Sequence, residues 1–256
     1  MKRYNEESLV VIDGLPKCVR KYEEDYAIIC VDVIRATTTA ITAVAKGRRC
    51  FPVGSLEKAL SLSVALQAER PILVGELGGN KPAGFGLNNS PAELDVRDDV
   101  DRPIILLSSS GTQLIFGAMQ GLAAFLACFR NFTAAAESLV GRYRKIAVIG
   151  AGSGDEFREE DQICCAWVAD ILVKAGYKPA TKRTRDLISR WRHAKPEACL
   201  VSKSADFLKN TGQERDLDFI LSHIDDLNAS FMMADNEVIM IPHTRHAEQY
   251  ALETVQ

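Results

Sequence analysis

The stretch IICVDVIRATTTAITAVAKG, residues 28–47, decides the fold class of this chain. Its apolar start is typical of a strand buried on both faces, and its Ala- and Ile-rich end predicts a helix that stops at Gly47. The carboxylate of Asp32, the guanidinium of Arg35 and three threonine hydroxyls lie between the two. In open α/β sheets, ligands bind where strands end, and free N–H groups at a helix start favour anions. The stretch therefore predicts a ligand site or, as the alternative, a helix cap at Asp32 that pairs with Arg35 at the surface.

The composition is ordinary for a globular protein, with 256 residues, 47% of them hydrophobic and 25% charged. The formal net charge of -3 argues against a general nucleic-acid binder, which needs a basic surface. No apolar run approaches the roughly 20 residues that span a bilayer, and the first residues lack the apolar region of a signal peptide. Seven cysteines without a CxxC pair indicate reduced thiols. We therefore expect a cytoplasmic protein that binds neither membranes nor nucleic acid.

Apolar runs that predict strands alternate with helical periodicity along most of the chain. The predicted strands cover residues 8–12, 27–31, 50–53, 71–75, 103–107, 123–129, 145–150, 217–221 and 237–241. The basic segment that ends at Lys195 is interpreted as a solvated helix. This alternation predicts an α/β fold with a mostly parallel or mixed sheet. Residues 1–256 form one catalytic unit or two α/β halves with a boundary near Gly141.

Four polar loops follow predicted strands and carry the candidate chemistry. They begin at Asp32, Gly75, Ser108 and Gly150. If the strands are parallel, we expect all four loops along one sheet edge. Their hard oxygen ligands suit Mg²⁺, and their hydroxyls and exposed N–H groups suit phosphate oxygens. The loops therefore predict metal-assisted chemistry on a phosphorylated small molecule.

Plainer interpretations of these loops stay open. Residues 108–112 can simply cap the following helix, and residues 88–91 can form a turn. The acids at 159–161 can simply favour a helix N-terminus. A dinucleotide-binding G-x-G-x-x-G pattern fails after Gly150, because position 155 is aspartate, and this argues against a nucleotide-binding oxidoreductase.

Four segments resemble the 2-phosphosulfolactate phosphatase (ComB-like) family. They are DVIRATTT from Asp32, GELGGNKPAGFGLNNSP from Gly75, SSSGT from Ser108 and GAGSGDEFREED from Gly150. The resemblance implies a three-layer α/β/α fold and a Mg²⁺-dependent phosphatase that forms sulfolactate on the way to coenzyme M. The chain departs from the family pattern at Leu77, where the family usually has arginine, and at Ser110, where it favours asparagine. The change to Leu77 removes a side chain that binds anions through two N–H groups.

From these segments we expect a cytoplasmic phosphomonoesterase that takes a small phosphorylated acid and that can form a homodimer. The expected metal ligands, directly or through water, are Asp32, Glu76 and Asp161, with Glu160 as a substitute. Arg35 joins Asp32, Glu76 and Asp161 in the expected catalytic set. The expected substrate-binding residues are Thr37, Thr38, Lys81, Asn89, Ser90, Ser109, Ser110, Gly111, Thr112 and Gly152.

The chemistry leaves two mechanisms and one rival function open. Phosphorus is attacked by a water that the metal activates, or covalently by Asp32 as in haloacid-dehalogenase-type phosphatases. The covalent route is the weaker one, because the acid that those enzymes place two residues on is Ile34 here. The rival function is a catalytically silent small-molecule binding protein. Phosphate release that requires Mg²⁺ would distinguish the enzyme from this rival.

Overall fold

The computed structural model describes residues 7–243, in which strands and helices alternate as the sequence predicts. The strands are β1 Leu9–Gly14, β2 Ala27–Val31, β3 Cys50–Val53, β4 Ile72–Gly75, β5 Ile104–Leu107, β6 Ala123–Ala127, β7 Lys145–Gly150, β8 Lys178–Pro179, β9 Ala229–Ala234 and β10 Glu237–Pro242. The helices are α1 Ala36–Ala45, α2 Leu56–Ala65, α3 Pro91–Asp95, α4 Gly111–Ala118, α5 Phe132–Glu137, α6 Glu159–Lys174, α7 Lys182–Trp191, α8 Lys203–Asn210 and α9 Glu214–Ser222.

The strands form two sheets. The larger has seven strands in the order β10-β9-β6-β2-β7-β1-β8, and the smaller has three in the order β3-β5-β4. Strands β6, β2, β7, β1 and β8 run parallel, β9 and β10 are antiparallel, and the small sheet is parallel throughout. The prediction of an α/β fold with a mixed sheet is confirmed. The prediction that all four loops follow strands of one sheet is wrong, because β4 and β5 pair with β3 rather than with β2 or β7.

Alternating side chains divide the core into layers. On β2, Ile29 packs in a core with residues of α5 and α6, whereas Ile28 packs on the opposite face with residues of α1 and α4. On β5, Ile104 shares this second core, whereas Ile105 packs against Ala59 of α2. The large sheet is therefore covered by helices on both faces. The small sheet and α2 lie beyond the layer that contains α1 and α4.

Strands from both sides of Gly141 lie in the same sheet, because β7 pairs with β1 on one side and with β2 on the other. The choice between one unit and two halves stays a prediction, and residues 1–6 and 244–256 lie outside the described part. Within the described part, no helix is long and apolar enough to cross a membrane. All seven cysteines are free, and six of them are buried, which agrees with a packing role.

The C-terminal third differs most from the prediction. Residues 217–221, predicted as a strand, lie in α9, because a short apolar run does not distinguish a strand from a buried helical face. Strand β9 was not predicted. The segment interpreted as a turn before Pro91 contains a helix cap, since the Ser90 hydroxyl accepts a hydrogen bond from the Glu93 amide of α3.

Candidate active site

The four polar loops converge on one cavity of about 290 Å³. Two of them follow β2 and β7 of the large sheet, two follow β4 and β5 of the small sheet, and α8 completes the wall. A cavity of this size suits a small ligand. The predicted site residues that line it are Asp32, Arg35, Glu76, Asn89, Ser109, Ser110 and Gly152.

Asp32 lies where β2 ends and α1 begins, held by the backbone around it. Its Oδ1 accepts a hydrogen bond from the Ala36 amide at 3.1 Å, and its own amide donates to the Thr37 hydroxyl at 2.9 Å. A Cβ at Gly111 would come within 2.1 Å of Asp32 Oδ2. Glycine at position 111 therefore lets the start of α4 approach this carboxylate closely.

The carboxylates near Asp32 repel one another. Burial, together with the charges of Glu76 and Glu160 and against the opposing effect of the Ala36 amide, raises the pKa of Asp32 to about 7. Burial, followed by the charges of Asp32 and Glu160, raises the pKa of Asp161 well above its usual range. Burial also raises the pKa of Glu160, whose Oε2 finds no hydrogen-bond partner among the described residues. Such a group of acids favours a bound cation.

Two of these acids also join neighbouring loops. Asp161 accepts hydrogen bonds from the Val33 amide at 2.9 Å and from the Gly152 amide at 2.8 Å, which ties the loop after β2 to the loop after β7. Glu76 accepts hydrogen bonds from the Ser109 amide at 2.8 Å and from the Gly79 amide at 2.7 Å. It thereby ties the loop after β4 to the loop after β5.

Arg35 lines the cavity from a buried position fixed by α9. It forms an ion pair with Asp216 and donates a hydrogen bond to the Gln213 side chain at 2.8 Å. Asp216 also accepts hydrogen bonds from the Ser90 hydroxyl at 2.6 Å and from the Ala92 amide at 3.2 Å. Each of the two buried charges is therefore paired, and the guanidinium is held in one orientation. Sequence reasoning missed Asp216, because it assigned this segment to a strand.

The donor chemistry fits Mg²⁺ held partly through water. Within residues 7–243, no three side chains of His, Cys, Asp or Glu come together as a metal centre by themselves. Mg²⁺ does not need such a group, since it usually keeps several waters and takes one or two carboxylates together with substrate phosphate. Asp32 at the cavity wall and the unpaired Glu160 Oε2 are carboxylate donors of the right type.

Comparison with protein-family models gives one match, which covers residues 14–229 and is described as 2-phosphosulpholactate phosphatase. The chain belongs to this family. The match includes α8 and α9, which follow the last of the four segments that carry the sequence resemblance.

Several curated relatives in the family are named "Probable 2-phosphosulfolactate phosphatase". That of Carboxydothermus hydrogenoformans is 29% identical over 201 residues, which are 78% of this chain and 83% of the relative. Those of Clostridium tetani and Pseudothermotoga lettingae are 31% identical over 152 residues and 33% identical over 142 residues. These two matches cover 59% and 55% of this chain. They span less than two thirds of the relatives themselves, 65% and 60%.

The remaining predicted site residues of this 2-phosphosulpholactate phosphatase family member do not line the cavity. Buried hydroxyls of four of them bond within the protein: Thr37 to the Ala127 carbonyl, Thr38 to the Val33 carbonyl, Ser90 to Asp216 and Thr112 to the Ser108 carbonyl. Lys81 is exposed, Gly111 starts α4, and Glu160 and Asp161 are buried close to Asp32. The geometry does not favour substrate contact for Lys81 or for the four hydroxyls, and these roles stay predictions.

Sequence reasoning missed several residues that line the cavity. Arg158 lies within the GAGSGDEFREED segment that carries the family resemblance, but only its acidic neighbours were predicted as site residues. Lys203, Ser204 and Phe207 come from α8. The available signal was the cap residue Ser202, which predicts a helix start but not its place in the fold.

Proposed function

We propose that this chain is a phosphomonoesterase that releases phosphate from a small phosphorylated hydroxy acid, and that this acid is 2-phosphosulfolactate. The observation that carries the proposal is the meeting of a buried acid group around Asp32 with the guanidinium of Arg35 in one small cavity. Membership of the phosphatase family supports the reaction class. The names of the relatives support the substrate.

Mg²⁺ is the proposed cofactor, with Asp32 and Glu160 as ligands and with Glu76 and Asp161 supporting the loops that carry the site. Bound there, Mg²⁺ would offset the repulsion between the acids and withdraw charge from the phosphoryl oxygens. Arg35 would donate to the oxygens of the substrate, because its orientation is fixed before binding and a guanidinium forms paired hydrogen bonds to such oxygens. The Ser109 and Ser110 side chains at the wall are further candidates for phosphate contacts.

Asp32 is proposed as a metal ligand rather than as the proton acceptor of the attacking water. Without metal, burial is the main cause that raises its pKa to about 7, and a bound cation would displace the proton that it then carries. The covalent alternative needs an acid two residues after the nucleophile, and the residue there is Ile34, which lines the cavity. This apolar side chain favours hydrolysis by water over attack by Asp32.

Phosphate release from a panel of phosphorylated C3 acids tests the proposal, with Mg²⁺ and with EDTA. We expect release that requires Mg²⁺ and that falls by at least roughly 100-fold in Asp32→Asn, since the several kcal/mol that a bound metal supplies would be lost. Asp186→Asn is the matched control, because Asp186 is exposed on α7 and lies outside the cavity wall. Tight binding of these acids without phosphate release would instead support the silent binding protein.

A further inference from the structure

Three cationic side chains line the cavity, and they are neutralised unequally. Arg35 is matched by Asp216, and both side chains are only 4% exposed. Arg158 and Lys203 share a single carboxylate, that of Glu156, which is 49% exposed. The two Glu156 oxygens lie 2.6 and 2.8 Å from the Lys203 ammonium. The two cations in this part of the wall therefore share one exposed ion-pair partner, whereas Arg35 has a buried one to itself.

Arg158 also has an unused donor. Its side chain is 14% exposed, and its buried Nε finds no hydrogen-bond partner within residues 7–243. Leaving a buried donor on a charged group unsatisfied costs free energy, and a guanidinium satisfies its donors best by pairing with a planar or tetrahedral acid group. The cationic Arg158 side chain, which lines the cavity with a donor to spare, is therefore suited to an anionic ligand.

The neighbouring backbone favours the same ligand. Lys203 is the first residue of α8, the hydroxyl of Ser202 caps this helix, and Ser204 lines the cavity beside Lys203. The first turn of a helix carries a partial positive charge from its free amides. Two full positive charges and a helix start thus meet at one end of the cavity. The buried carboxyl of Glu160 lies behind them, against the Ser202 and Ser204 hydroxyls.

We propose that Arg158 and Lys203 form an acid-group subsite. It binds one acid group of the substrate other than the phosphate, the carboxylate or the sulfonate, in place of Glu156. The inference rests on the proposed phosphatase function and assigns its specificity. Glu156 occupies the two cations in the free protein and is displaced when the substrate binds. A phosphate monoester without a second acid group leaves Glu156 in place and gains nothing from these cations.

Two substrates with the same three-carbon skeleton test the subsite. 2-Phosphosulfolactate carries two further acid groups, and glycerol 2-phosphate carries none. We expect Arg158→Ala to lower kcat/KM for 2-phosphosulfolactate about 10- to 100-fold, as for loss of a hydrogen bond to a charged group, and to change it less than about threefold for glycerol 2-phosphate. Lys17→Ala is the matched control. Lys17 forms an ion pair at 2.7 Å with Asp155, the neighbour of Glu156 in the loop after β7, but it does not line the cavity. An equal loss on both substrates would overturn the subsite and leave the phosphatase function standing.

Glu156→Gln tests the displacement. This variant keeps the size of the side chain but releases both cations, so we expect KM for 2-phosphosulfolactate to fall about three- to tenfold. Titration calorimetry with sulfolactate and with lactate gives a readout that needs no hydrolysis. Preference for sulfolactate that Arg158→Ala abolishes and Arg158→Lys partly restores would support the subsite even if no phosphate is released. Weaker sulfolactate binding in Glu156→Gln would overturn it. 2-Phospholactate, which lacks the sulfonate, then shows which acid group the cations hold.

Discussion

Replacing Asp32 by asparagine should make the metal-free protein more stable at pH 8 while it removes activity. Burial raises the pKa of Asp32 from 3.8 to about 7. Between these values the folded protein holds a proton that the unfolded chain has lost, so this residue makes stability fall as pH rises through the window. Above pH 7 the full penalty applies, about 4 kcal/mol for a shift of about three pKa units.

Asparagine avoids this penalty, because its side chain is neutral at every pH. Its side-chain oxygen can still accept the hydrogen bond from the Ala36 amide. The amide group must itself be buried, which costs part of the gain. We therefore expect Asp32→Asn to raise the free energy of unfolding by about 2–4 kcal/mol at pH 8, with no gain below about pH 4. Urea denaturation in EDTA at several pH values measures the difference. Asp186→Asn on the exposed face of α7 is the control, with an expected change within about 0.5 kcal/mol. A variant that is less stable at pH 8, or a difference that does not depend on pH, would refute the idea of a costly buried charge.

Mg²⁺ should offset most of this difference. At a concentration of 100 times its Kd, it should stabilise the wild type by about 2.7 kcal/mol and Asp32→Asn hardly at all. Since Mg²⁺ would have to displace the proton on Asp32, the affinity of the protein for Mg²⁺ should weaken by about tenfold per pH unit below pH 7. Equal stabilisation of both proteins would exclude Asp32 as a ligand.

Three further substitutions test neighbouring parts of the site. Asp216→Ala should cost about 3–5 kcal/mol in urea denaturation, because it leaves Arg35 buried without its partner, and a loss below 1 kcal/mol would show that Arg35 finds another acceptor. Gly111→Ala should lower kcat/KM at least tenfold, since the added Cβ would lie 2.1 Å from Asp32 Oδ2, and unchanged kinetics would mean that the start of α4 yields freely. Leu77 is 42% exposed and lies between the cavity residues Glu76 and Gly78. Leu77→Arg adds a guanidinium there, so the ratio of kcat/KM for sulfonate to that for carboxylate substrates should rise by the equivalent of about 1–3 kcal/mol. A wild type that already prefers the sulfonate strongly would make Leu77 a neutral change.

The sequence predicts the strands well where burial leaves a continuous apolar run. Residues 50–53 and 145–150 match β3 and β7 to the residue. It does not predict that β4 and β5 leave the large sheet, because the choice of a strand's partner depends on packing between distant segments. The four loops nevertheless converge as expected, since strands of both sheets end at the same cavity.

The acids of the site were predictable and its cations mostly were not. Asp32 and Glu76 stand directly after apolar strands, where a charged residue is conspicuous. Arg158 and Lys203 stand among other charges at helix starts, and such residues usually face water. The carboxylate of Asp216 lies on α9, 181 residues from the guanidinium that it holds. No local sequence pattern predicts a contact between residues so far apart in the chain.

The pairing of charges suggests an order of binding at this site. The cations already have acid partners, Asp216 for Arg35 and Glu156 for Arg158 and Lys203. Burial, and after it their mutual repulsion, instead raises the pKa values of the buried acids Asp32 and Asp161. On the proposed assignments, a cation would bind to groups that repel without it, whereas an anion would first have to displace Glu156. Metal bound near Asp32 would add positive charge close to the phosphate, so it should strengthen substrate binding, and by linkage the substrate should strengthen metal binding by the same factor. This coupling would explain how one small cavity could accept a ligand with several negative charges next to a group of carboxylates.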